Sequence, residues 1–370
     1  MGEFGQQILK TSYEIFNCLL QQEKGTFVVS PFSIINMLGI LLNGSNDTLK
    51  NKMKKILGNT VDFNNDISKI YNQLKISLED LNSATLNLNN YVFHDMRMKV
   101  LPDFRETLAR YLISELKPVY LALFDDFQNL INKTVYTDTN GLLDKISDDL
   151  PDDLKVLILN TVYFKESWRF PFSVDHENEY FFNGDKKFKV PMMKIRKKFK
   201  AADTEKFKVV QIPFANPTYS FLGILPKTNN FSNIRISDVL SSLKLHDVFI
   251  SMPKFTIETE IDIKDKLKLE NLQGIFDGHS FLNIFKDTAI TNPELIHVAV
   301  IDIDEKGTSA STVTYEYAIT CLLHPKEIIF EFNSPFLFYI IKTITNNSSH
   351  NNFKQLPIIM GRYTGHDMNK

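Results

Sequence analysis

The chain has 370 residues, 43% of them hydrophobic, with 42 Lys and Arg against 44 Asp and Glu and a formal net charge of -2. That near balance gives no general electrostatic pull toward nucleic acid or an anionic membrane, and no run of about 18 apolar residues is present to span a bilayer. Cys18 and Cys321 are the only cysteines and fall in unrelated contexts, so no disulfide framework is implied; together with eight histidines they form no metal-ligating spacing, and no cofactor is expected. No linker rich in Gly, Ser or Pro divides the sequence, so residues 1–370 are expected to form a single domain with a substantial core. The N-terminus carries no apolar leader, which predicts a cytoplasmic protein or one released by a non-classical route; sequons at Asn43, Asn46, Asn132, Asn230, Asn346 and Asn347 matter only in a secretory pathway.

In chain order, Ile8, Phe16, Leu19 and Leu20 recur at helical spacing and predict an amphipathic helix. Phe27-Val28-Val29 reads as a short strand. Ser30 then caps a second helix with Pro31 at its first position and Ile34, Leu38, Leu41 and Leu42 on one face. From Thr85 to Phe93, Leu86, Leu88 and Val92 alternate along a strand, and Asn90 shares their face, where a polar group needs partners. Leu157 to Phe164 is almost continuously apolar, as in a strand covered on both sides, yet contains Asn160. The densest basic run, Lys186 to Lys200, reads as a solvated strand pair, with polyanion binding as the weaker alternative.

Asp304 to Thr314 is the most distinctive stretch. After Gly307 it runs Thr308, Ser309, Ala310, Ser311, Thr312, Val313, Thr314 without charge or proline, unlike ordinary loops and suited to a strand paired on both edges. Thr308, Ala310, Thr312 and Thr314 form one small face. Glu316 falls on that same face by two-residue parity, where an unpaired carboxylate is costly to bury. Cys321 and His324 are three residues apart with no orienting group or oxyanion site, so a catalytic thiol is not indicated and no enzyme is expected.

With Asp304-Glu305-x-Gly307-Thr308 before it and Asn333-x-Pro335-Phe336 after it, this segment resembles the reactive-centre loop of the serpin family. The resemblance covers almost the whole chain: Ile131-Asn132, Thr139-Asn140-Gly141, Asn160, Tyr163-Phe164-Lys165, Trp168, Pro191-Met192-Met193, Leu225-Pro226, Pro253-Lys254-Phe255 and Met360-Gly361-Arg362 stand in the family's order. Departures are Thr134 for a usual Trp, Glu166 for a usual Gly, and Ser309 for a usual Glu. The resemblance implies an α+β fold of three β-sheets with eight or nine helices and an exposed loop spanning about 305–332. It also implies a monomeric suicide-substrate inhibitor that forms a covalent acyl complex with a target serine protease. A non-inhibitory carrier, chaperone or storage role and cysteine-protease inhibition are the alternatives.

Residue by residue, the resemblance assigns the loop hinge to Glu305, Gly307, Thr308, Ser309, Ala310, Ser311 and Thr312. The family's spacing from Glu305 places the reactive bond between Cys321 and Leu322, with a one-residue slip putting Leu322 in the specificity pocket instead; either apolar residue suits a chymotrypsin-like or elastase-like enzyme. Ser30, Ser33, Asn160 and His297 match the shutter over which the main sheet opens.

Overall fold

The computed structural model describes residues 3–47, 50–51, 86–109, 114–121, 124–146, 150–151, 154–174, 179–228, 231, 234–267, 281, 283–287, 290, 293–307, 327–343 and 355–365. Among these are six helices: α1 (Glu3–Gln22), α2 (Pro31–Gly44), α3 (Pro102–Thr107), α4 (Phe124–Asp138), α5 (Ile236–Ser242) and α6 (Ile263–Lys266). The first eight strands are β1 (Phe27–Val29), β2 (Leu86–Asp95), β3 (Glu115–Val119), β4 (Val156–Lys165), β5 (Ser173–Val174), β6 (Glu179–Asn183), β7 (Lys186–Val190) and β8 (Met192–Asp203). The rest are β9 (Phe207–Pro213), β10 (Tyr219–Pro226), β11 (Lys244–Pro253), β12 (Phe255–Asp262), β13 (Glu294–Ile303), β14 (Ile328–Glu331), β15 (Phe336–Thr343) and β16 (Gln355–Tyr363).

They form three sheets. The central one has five strands in the order β12-β13-β4-β2-β3; a nine-stranded sheet runs β1-β16-β15-β10-β9-β8-β11-β14 with β5 beside β8; β6 and β7 form a two-stranded ribbon. The three-sheet α+β expectation holds, and six helices among the described residues stand beside the eight or nine expected over the whole chain.

Local chemistry explains the predicted starts. Ser30 is the N-cap of α2, accepting from the Ser33 N–H, and Pro31 opens the helix where its missing N–H leaves no intrahelical bond unmade. The expected single apolar face of α2 is corrected: Phe32, Ile35, Asn36, Met37 and Ile40 are buried as well as the predicted face, because the helix packs against both β4 and β16. A helix enclosed by sheets needs apolar residues all round.

The basic run also departs from expectation. Its residues do occupy two strands, but these do not pair with one another: β7 pairs with β6, whereas β8 pairs with β11 and β9. Pro191, lying between them, has no backbone N–H to offer a ladder.

Two apolar layers sandwich the central sheet. On one face Leu88, Ile158, Val162, Leu295 and Ala299 join the main core with α1, α2 and the large sheet. On the other, Leu157, Leu159, Ile296 and Val298 pack with Phe127, Ile131 and Val135 of α4. Burial on both faces is why the β4 sequence is a nearly unbroken apolar run.

Candidate functional site

The central feature is a junction between two parallel strands. β13 and β4 are hydrogen-bonded neighbours over nine residue pairs, from Glu294 opposite Leu157 to Asp302 opposite Lys165. The flanking pairings, β4 with β2 and β13 with β12, are both antiparallel. This parallel seam lies inside the sheet, whereas the other parallel pairing, β2 with β3, is at its edge; the seam leads directly, at the end of β13, to Glu305 and Gly307.

Midway along the seam lies a buried polar row. Asn90, Asn160 and His297 are register partners across β2, β4 and β13, exposed by 3%, 0% and 0%. The Ser30 backbone N–H donates to His297 Nε2 at 3.1 Å, and His297 Nδ1 lies 2.6 Å from Asn160 Oδ1. Since Nε2 is an acceptor, Nδ1 must carry the proton and donate to Asn160. Asn160 Nδ2 then donates to Asn90 Oδ1 at 2.9 Å and to the Asn89 carbonyl at 3.0 Å, while Ser30 Oγ donates to the Ile358 carbonyl at 2.7 Å. Burial pushes the His297 pKa from its ordinary 6.5 down to about 3, so the ring is neutral, as its acceptor nitrogen requires.

Of the four residues assigned here from sequence, the structure joins Ser30, Asn160 and His297 directly. Ser33 contributes its backbone N–H to Ser30 Oγ, but its own hydroxyl is buried with no partner among the described residues. Asn90 completes the row; its position on the apolar face of β2 was the signal for it.

Over the seam's other face, α4 is fastened by an acid at its last residue. Asp138 accepts from Tyr91 Oη at 3.2 Å and from Thr161 Oγ1 at 2.5 Å, while the Asp138 carbonyl accepts from Asn87 Nδ2 at 3.1 Å. An acid at a helix C-terminus is disfavoured by the helix dipole, so these bonds to β2 and β4 are what make the position tolerable. Burial, then the Asp138 charge, pushes the Tyr91 hydroxyl above its ordinary pKa, so it remains a donor.

At the top of the seam, Trp168 stacks on Phe214 with centroids 4.5 Å apart and an interplanar angle of 10°. Its Nε1 donates to the Asp304 carbonyl at 2.6 Å and its backbone N–H to the Lys306 carbonyl at 2.8 Å; Gly307 pairs with it in a parallel bridge. An added Cβ at Gly307 would lie 2.7 Å from Pro171 Cα, so only glycine fits. The Glu305 carboxylate is ion-paired to Lys254, which holds its pKa below the usual range. Lys165 Nζ reaches Asp302 Oδ2 at 2.5 Å across the seam, and Thr256 Oγ1 donates to the other Asp302 oxygen. Neither the Lys254 nor the Lys165 pair carried a sequence signal, because each joins residues far apart in the chain.

The remaining hinge residues Thr308, Ser309, Ala310, Ser311 and Thr312, the bond Cys321–Leu322 and Glu316 lie outside the described residues. The family model described as Serpin (serine protease inhibitor) matches residues 6–350. The chain belongs to the serpin family. Relatives of this serpin include Iripin-2 of Ixodes ricinus, 26% identical over 342 residues with 88% of this chain and 86% of the relative covered. A Leukocyte elastase inhibitor of Xenopus tropicalis is 25% identical over 377 residues, covering 95% and 97%.

Solved structures agree on the serpin fold. Native protease nexin-1 with heparin superposes with a TM-score of 0.81 at 22% identity, covering 98% of both chains. The thyroxine-binding globulin complex with thyroxine does so at 0.79 and 19%, covering 96% and 98%.

Proposed function

We propose that this serpin is an irreversible suicide-substrate inhibitor of a chymotrypsin-like or elastase-like serine protease. The observation that carries the reading is the parallel β4–β13 seam whose open end is the root of the loop. A segment leaving β13 and folding back between the two strands would run antiparallel to both. One parallel pairing, the less stable kind, would be exchanged for two antiparallel ones, so the closed sheet is held against a lower-energy alternative by a barrier.

In this mechanism the protease serine Oγ attacks the Cys321 carbonyl. The Cys321–Leu322 peptide bond breaks, Leu322 leaves as a new amino terminus taking up a proton, and Cys321 is left as an ester on the protease. The freed segment from Gly307 onward inserts into the seam and carries the tethered enzyme away. Thr308, Ala310 and Thr312 are small enough to enter the core face, and Thr308 to Thr314 carry no charge or proline to halt them. The row Ser30, Asn90, Asn160, His297 must exchange bonds as the strands separate, while Trp168, Lys254 and Lys165 hold the loop root and seam top closed.

Incubating the protein with chymotrypsin and elastases tests the reading. An SDS-stable complex with cleavage after Cys321 is expected, by mass spectrometry of the released fragment. Cleavage without a stable complex would instead assign a non-inhibitory carrier, chaperone or storage role.

A further inference from the structure

The β6–β7 ribbon carries a surface that neither the fold nor loop insertion explains. Its register places Tyr180 opposite Lys189 and Phe182 opposite Lys187, so these four side chains share one face. On the other face Phe181 and Val190 are buried, with Phe181 edge-on to Tyr363. Tyr180 and Phe182 are 41% and 46% exposed, and Lys187 Nζ lies 3.4 Å from the Tyr180 ring centroid. Neither Lys187 nor Lys189 is in an ion pair among the described residues, whereas Lys194, Arg196 and Lys198 of the same basic run are paired with Glu179, Glu327 and Asp247. Lys187 and Lys189 thus set positive charge beside the ribbon's exposed aromatics, while Lys197 and Lys200, also outside these pairs, stand on β8, Lys197 over the Phe170 ring at 3.7 Å.

This face lies next to the point where the loop rejoins the fold. The Phe182 N–H donates to the Asn333 carbonyl at 2.7 Å, and β14, which ends two residues before Asn333, is the first strand after the loop. Asn333 also lines an open cavity of about 380 Å3 with Lys208, Leu225 and Ile329, the last 48% exposed. Exposed aromatics with a charged rim are the composition of protein-docking surfaces, and aromatic residues are where their binding energy concentrates.

We infer that Tyr180, Phe182, Lys187 and Lys189 form a secondary docking surface for an acidic, partly apolar patch on the protease engaged by the loop. The inference rests on the inhibitory reading above for the identity of its partner. Two lysines give too little charge for a tight polyanion site, and two solvent-facing rings with an adjoining cavity favour a protein surface.

The test measures the encounter alone, using chymotrypsin and pancreatic elastase whose catalytic serine is replaced by alanine, so that neither cleavage nor insertion contributes. In the full-length protein, Tyr180→Ala/Phe182→Ala and Lys187→Glu/Lys189→Glu are each expected to raise Kd by about tenfold. The charge reversal should matter less as salt rises from about 50 to about 500 mM. Circular dichroism and thermal transitions matching the parent establish that the variants fold. Unchanged Kd in both variants, or no binding by either enzyme, overturns the inference. It is also overturned, in favour of a polyanion, by earlier elution of the charge variant from heparin with protease affinity unchanged. Active chymotrypsin, run separately, reports on the inhibitory reading: cleavage without an SDS-stable complex sinks that reading and leaves the binding comparison standing.

Discussion

Asn160 and His297 face each other across the parallel β4–β13 pairing of the central sheet, with Asn160 Oδ1 2.6 Å from His297 Nδ1. The bond spans the two strands that must part for a new one to enter. It is also the middle link of a chain from Ser30 on α2 to Asn90 on β2, so the seam is tied to elements on both sides.

His297→Ala removes the acceptor of the Ser30 N–H and the donor to Asn160, leaving a cavity at a fully buried position. A loss of about 2–4 kcal/mol in closed-sheet stability is expected. On heating, the monomer should polymerise or convert to an inserted form sooner than the parent, as followed by native gels; equal monomer lifetimes would contradict the role.

Acid should weaken the same seam. His297 has a folded pKa of about 3 against its ordinary 6.5, so between these values an opened chain binds a proton that the closed sheet excludes. The contribution is fully present above 6.5 and is lost as pH falls toward 3, by up to ~1.4 kcal/mol per pH unit. Amide exchange in β4 and β13 should accelerate in that window for the parent, and His297→Gln should lose that part of the pH dependence.

Trp168 is the sole tryptophan and sits at the loop root, bonded to the Asp304 carbonyl. Cleavage at Cys321–Leu322 followed by insertion should therefore change its emission. A mass-verified cut with an unaltered spectrum would show that the loop root stays put.

Gly307→Ala forces a methyl against Pro171 at this same root. Displacement of the loop root should speed proteolysis of the hinge and shift Trp168 emission even before cleavage. The parent's spectrum and proteolysis rate in the variant would refute the steric account.

Glu316 is expected to limit trapping. The seam is nine residue pairs long and Thr308–Glu316 is nine residues, so an inserting segment would bring Glu316 toward the Glu294 end, where Glu294 already holds Lys264 at 2.6 Å. Glu316→Gln should raise the ratio of complex to cleaved product on SDS gels, and Lys264→Ala should lower it. A ratio unmoved by both variants would remove Glu316 as an obstacle.

Much of this was readable from local chemistry. The Ser30-Pro31 helix start needs only a capping hydroxyl and a fixed φ, and the β4 run needs only two apolar faces, so short-range pattern sufficed. Asn90 advertised itself as a polar side chain on an apolar face. By contrast α2 read as one-faced, because periodicity records which residues are apolar and not how many neighbours enclose them. Lys186 to Lys200 read as one strand pair because adjacency in sequence says nothing about which sheet each strand joins.

By itself, then, the amino-acid sequence determined the cap of α2, the buried strands and the polar residues within them, since these depend on side-chain type and spacing over a few positions. Only the tertiary structure decided that β4 and β13 lie directly together, that His297 is neutral with its proton on Nδ1, and that Lys254, Lys165 and Asp138 clamp the seam. Hydrogen bonds, ion pairs and desolvation act over a few ångströms between atoms brought together from distant parts of the chain, and that proximity exists only once the chain has folded.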